Sequence, residues 1–250
     1  MKILITLLSF LLQATIAMAD IYTDGLKKLS YAGAISVIED LQGQFDPTQQ
    51  VKMKDAVEKS VEVMADYYRK NMTESEFRQY VDFLLQPEMV QATRNVMGNV
   101  AAAQKTIMNH MAPALMAISQ GQTPSNIPHS QCNPTKLRKI LRYLDINGTD
   151  KTLATSMSST KAIIANEMAK GSAADKEKKM DYINRLFDYL NRNVKTVVVN
   201  TMIETASESD IDTFLSIEKQ PFFPSYEKTL DAMIEDMPQL LQKLLEKMKQ

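Results

Sequence analysis

Apolar residues return at helical spacing over long stretches of this chain, and that periodicity limits the fold more than any other feature. In Met53, Val57, Val61, Met64 and Tyr68 the steps are four, four, three and four residues, which places all five on one face of a helix. Lys52, Lys54, Glu58, Lys59 and Glu62 fall largely outside that stripe. A second seam runs through Met180, Ile183, Phe187, Leu190, Val194 and Val197, with steps that alternate between three and four. Val197-Val198-Val199 is β-branched, but it ends a helical seam. With 7 Gly, no Trp and abundant Ala, Leu, Met, Lys, Glu and Gln, propensity favours helix over strand. The expectation is an all-α helical bundle whose Met and aromatic stripes are core, Met being a side chain that fills irregular gaps.

Local signals mark where the helices begin and end. Asp46-Pro47 fits a helix start with Pro at the first helical position. Thr73-Glu74-Ser75-Glu76 reads as a capping box, in which the Thr oxygen and the Glu carboxylate each take up an orphan N–H of the first turn. Ser207-Glu208-Ser209-Asp210 repeats it with Asp in last place, a shorter side chain expected to close the box less well. Pro87 and Pro221 interrupt the helices that follow. Gln120 to Pro134 holds Gly121, Pro124, Pro128 and Pro134 and reads as a linker, which with three prolines close together is expected to lie off the helical core. Gly171 to Asp175 is a second polar break, and Asn147-Gly148 is a turn.

An internal repeat flanks the linker. At a shift of 134 residues Thr73, Glu76 and Phe77 lie over Ser207, Asp210 and Ile211. Tyr80 lies over Phe214, Val81 over Leu215, Phe83 over Ile217, and Gln86-Pro87 over Gln220-Pro221. Val96 and Val100 lie over Leu230 and Ile234. Apolar positions are kept while solvent positions drift. The expected organisation is a segment 1–19, an N-terminal helical unit 20–119, a linker 120–134 and a related C-terminal helical unit 135–250.

The pattern Tyr68, Met72 to Phe77, Phe83 and Gln86-Pro87 resembles the bacterial exported domain of unknown function numbered 2059. Phe77 stands where that family usually has Leu, and Gln86 where it has Ser. Ser207, Asp210, Ile211, Ile217 and Gln220-Pro221 match more loosely, and Leu26 to Leu29 and Leu137 to Leu141 are similar to the family's opening helix. The resemblance implies two degenerate copies of an all-α exported unit, and it implies no catalytic residue.

The first residues read as a secretory signal peptide: Lys2, an apolar run from Ile3 to Leu12, then Ala17-Met18-Ala19 before Asp20. Cleavage is expected between Ala19 and Asp20, with the product periplasmic in a Gram-negative source and otherwise secreted. The apolar run is too short for a span, and no later segment reads as one. The chain carries 29 basic and 30 acidic residues with the signs interspersed, which argues against a nucleic-acid partner. The single cysteine, Cys132, cannot form an internal disulfide, though it could bridge a homodimer.

The chemistry searched for is sparse. No phosphate loop, dinucleotide fingerprint or nucleophile elbow occurs. The two histidines and one cysteine fall short of a four-ligand zinc set. His129 and Cys132 share the linker, a poor platform for catalysis. Met108, His110 and Met111 have side chains suited to Cu(I), but on one helix His110 points away from the face shared by the two Met residues. The acids in the boxes are explained by the positive ends of helices. No cofactor is expected. The leading expectation is a non-enzymatic envelope protein that binds a protein, peptide or apolar ligand. A copper-handling protein and an enzyme without a familiar signature are the alternatives.

Overall fold

The first apolar stripe lies on α2 (Pro47–Asn71) of the computed structural model, which describes residues 21–32, 47–98, 111–168 and 173–247. Val57, Val61, Met64 and Tyr68 are all buried. In chain order α1 (Ile21–Ser30) precedes α2, and α3 (Glu74–Leu84) and α4 (Pro87–Gly98) follow it. After a helical stretch at 111–119 and an irregular segment at 121–133 come α5 (Pro134–Ile146), α6 (Thr149–Met168) and α7 (Ala173–Thr205). The chain ends in α8 (Glu208–Leu215) with a 3-10 turn at Ser216–Lys219, then α9 (Phe223–Glu235) and α10 (Met237–Lys247). No strand occurs among the described residues, and the fold is all-α. The Val197-Val198-Val199 run is helical within α7.

Both capping boxes are closed. Thr73 N donates to Glu76 Oε2 at 2.8 Å while Glu76 N donates to Thr73 Oγ1 at 3.3 Å. At the second box Ser207 N donates to Asp210 Oδ2 at 2.9 Å and Asp210 N donates to Ser207 Oγ at 3.0 Å. The weaker closure expected of Asp is therefore absent. Asp210 Oδ2 still accepts from both the backbone N–H and the hydroxyl of Ser207, the latter at 2.6 Å, just as Glu76 Oε2 accepts from both groups of Thr73. Each box carboxylate also reaches across the molecule. Glu76 Oε1 accepts from Ser225 Oγ on α9 at 2.7 Å, and Asp210 Oδ1 accepts from Asn95 Nδ2 on α4 at 3.0 Å.

Thr73→Ala and Ser207→Ala should each cost about 1 kcal/mol, the usual loss of an N-cap oxygen. The Ser207 variant should cost at least as much, which thermal or denaturant unfolding will read. The bonds from the Thr73 backbone, Ser225 and the Thr73 hydroxyl hold the Glu76 carboxyl below its ordinary range. At Asp210 burial pushes upward, but the bonds from Ser207 and Asn95 and the charge of Lys136 outweigh it, and the net shift is downward. Groups depressed in the fold stabilise it above their unfolded pKa, near 4. That contribution is lost as pH falls through the lower folded values, so Glu76→Gln and Asp210→Asn should flatten the acid limb of the stability profile.

The helices on either side of residues 120–134 make parallel contacts. α1 packs on α2 and α3, and α5 packs on α7 and α8. α9 crosses onto α2, while α4 packs on α8 and touches α7. The largest core cluster draws on both sides, with Leu26, Met64, Phe77 and Tyr80 in one interior with Ile140, Met202, Ile211, Phe222 and Leu240. α10 packs on α2 and α6, closing the bundle at its C-terminal end. Gly148 makes the turn between α5 and α6 at φ +58°, a left-handed conformation that favours glycine.

Candidate functional site

Two arrangements of polar side chains stand out within the apolar interior. The first is a group of tyrosines where α2, α3 and α9 meet. Tyr80 stacks on Tyr68 at 5.4 Å and on Tyr226 at 5.4 Å, and meets Phe222 edge-on at 5.6 Å. The seam between the two segments is therefore filled by aromatic rings at this point. Each phenol has a partner: the Tyr68 and Tyr80 hydroxyls share a hydrogen bond of 3.1 Å, and Tyr226 donates to Asn147 Oδ1 at 3.0 Å. Tyr22 donates to the Met72 carbonyl at 2.9 Å. Burial pushes the Tyr68, Tyr80 and Tyr226 phenols well above their ordinary range, and that of Tyr143 to about 12. Such groups stay neutral at physiological pH. They are satisfied packing elements and present no poised acid or base.

The second arrangement lies along α7, where only Ile183 and Phe187 of the sequence seam are fully buried and Met180, Leu190, Val194 and Val197 are half-buried. Asn193 and Asn200 are 2% and 6% exposed, and Thr196 is buried between them. Their partner is the irregular segment. Ile127 N donates to Asn193 Oδ1 at 2.7 Å. Asn200 makes two bonds, accepting from Ser130 N at 2.9 Å and donating to the Pro128 carbonyl at 2.8 Å. Arg185 Nη1 donates to the Gly121 carbonyl at 2.8 Å, and Ser130 Oγ donates to Glu204 at 3.4 Å. Asn193 Nδ2 donates to the Tyr189 carbonyl one turn back at 2.8 Å, which turns its oxygen toward the segment.

The segment thus does not lie off the core. Ile127 is 6% exposed and joins Ala114, Ile118, Leu186 and Tyr189 in a cluster of its own. Prolines remove backbone donors and resist helix, but they do not prevent an extended chain from docking when side-chain amides supply the missing partners. Heptad arithmetic counts only apolar residues, so it could not see Asn193 and Asn200. Their separation of seven residues on a helix was the signal that could have found them.

The sequence candidates fall in various places. Thr73, Glu76, Ser207 and Asp210 form the two boxes. Phe83 and Ile217 are buried, Pro87 opens α4, and Pro221 lies in the turn before α9. Met111 is half-buried, while Met108 and His110 lie outside the described residues, as do Ala19 and Asp20. Among the described residues no group of three His, Cys, Asp or Glu could hold a metal ion. His129 is exposed and Cys132 half-buried on the docked segment. A thiol reagent should label Cys132 in the native state, and Asn200→Ala, by freeing the segment around Ser130, should speed that labelling several-fold. Equal rates in the two proteins would show that Asn200 does not hold it. No family model, curated protein or solved structure matches this chain.

Proposed function

We propose that this chain is an exported, non-enzymatic helical binding protein whose partner is an extended polypeptide. One observation carries the reading: a long helix presents fixed side-chain amides that read the main chain of an extended segment. Side-chain amides bonded to peptide N–H and C=O groups recognise polypeptide as such, whatever its side chains. The interspersed charge of the chain suits such a partner better than nucleic acid. Among the described residues no helix is long and apolar enough to cross a membrane. The parallel contacts of the helices that carry the two capping boxes support a bundle made of two related, interlocked units. Export with cleavage after Ala19 belongs to the same proposal.

Protein purified from the exported fraction should begin at Asp20 and carry a polypeptide in defined stoichiometry by native mass spectrometry. Stoichiometric copper in place of polypeptide, or a cytoplasmic product with Met1 intact, would overturn the reading.

A further inference from the structure

The spacing of the amides on α7 matches an extended chain. Asn193 and Asn200 are seven residues apart, a rise of about 10.5 Å along a helix. The two amides they bind, those of Ile127 and Ser130, are three residues apart, about 10 Å in an extended chain. Between these two contacts helix and segment therefore advance by about the same distance. Of the five polar contacts to α7, four are made to main-chain atoms of the segment: Gly121 O, Ile127 N, Pro128 O and Ser130 N. The only side chain of residues 121–133 that is buried is Ile127. A site built this way specifies an extended backbone and one branched apolar residue. It does not distinguish the chain's own segment from another with the same pattern.

We propose that the face of α7 bearing Asn193 and Asn200 is a binding site for an extended polypeptide. The polypeptide would carry a branched apolar residue three positions before one with a free backbone N–H, and residues 121–133 occupy the site as its resident. The proposal rests on the reading of the protein as a polypeptide-binding module and assigns that module a site and a ligand pattern. Because the resident is tethered at both ends, its local concentration is high. A foreign chain gains access when the segment opens locally, and an opening that exposes one small apolar cluster leaves the main core intact.

Hydrogen exchange on the full chain tests the opening. The Ile127 and Ser130 amides should exchange at least 100-fold faster than that of Met202 in the core of α7. Exchange of all three only through global unfolding would overturn the proposal. The site itself is tested with a fluorescent synthetic peptide of residues 121–133, with Ser in place of Cys132. It should bind full-length Ile127→Asp protein one-to-one and at least ten-fold more tightly than it binds the unaltered chain. Adding Asn200→Ala to that protein should weaken binding at least ten-fold, as should Ile127→Asp within the peptide. Binding indifferent to Asn200, or equal in the two host proteins, would overturn the assignment. Should the Ile127→Asp chain fail to fold, the exchange experiment on the unaltered protein still decides. A polypeptide carried undiminished by Asn193→Ala/Asn200→Ala protein from the exported fraction would remove this site and leave the binding-protein reading standing on another surface.

Discussion

Tyr80→Ala is expected to destabilise the protein by about 3–5 kcal/mol, the range for truncating a fully buried aromatic. In a chain of this size that lowers the melting temperature by about 10 °C. Tyr80 is 2% exposed and its ring is held on several sides by Tyr68, Tyr226, Phe222 and Phe77. Those rings belong to α2, α3, α9 and the turn before α9, so no single element can collapse into the space left behind. The truncation also removes the hydrogen-bond partner of the buried Tyr68 hydroxyl. Tyr80→Phe separates the two contributions. It keeps the ring and loses the hydroxyl, and should cost about 1 kcal/mol. Denaturant unfolding reads both variants, and a Tyr80→Ala cost within about 1 kcal/mol of zero would mean the ring is not packed as described.

Alkaline titration probes the same tyrosines. Their phenols are raised in the fold, so their contribution is complete below the unfolded value near 10. It declines as pH climbs from there toward the folded values. The absorbance of these buried tyrosinates should therefore appear together with loss of helix, not ahead of it.

The part of the fold visible in the sequence is the part that depends on local rules. The stripe from Val57 to Tyr68 is buried because a helix with four apolar residues on one face has one way to hide them. The capping boxes were legible because two side chains and two backbone amides within four residues satisfy one another. What the sequence concealed depends on partners remote in the chain. Asn193 and Asn200 look like solvent residues until Ile127 and Ser130, some 66 and 70 residues away, are placed beside them. The bonds from Glu76 to Ser225 and from Asp210 to Asn95 span 149 and 115 residues, and no local pattern announces them. These long connections bind the two segments into one interior. A reading that separates them at residues 120–134 captures the break in helix but not the sharing of core.

Gly25→Ala is the second substitution expected to have a large effect, and here two principles pull in opposite directions. Alanine in a helix interior is favoured over glycine by about 1 kcal/mol, so α1 taken alone should gain. Packing decides otherwise. A Cβ at Gly25 would lie 2.8 Å from Phe77 Cε1 and 2.8 Å from Val81 Cγ2, both on α3. Neither atom yields cheaply: Phe77 is fully buried and in ring contact with Tyr22, Tyr68 and Tyr80, and Val81 is β-branched and stiff at χ1. Forcing α1 away from α3 should cost about 1–3 kcal/mol beyond any propensity gain, as overpacking of a core does. The compensating change is Val81→Ala, which removes one of the two obstructing atoms and opens room for the Phe77 ring to shift. Alone it should cost about 1.5 kcal/mol for the two methyl groups withdrawn from the core. In that background Gly25→Ala should become nearly neutral, giving a coupling energy of about 1 kcal/mol or more between the two positions. Strict additivity in this cycle would show that α1 and α3 do not approach as closely as Gly25 allows.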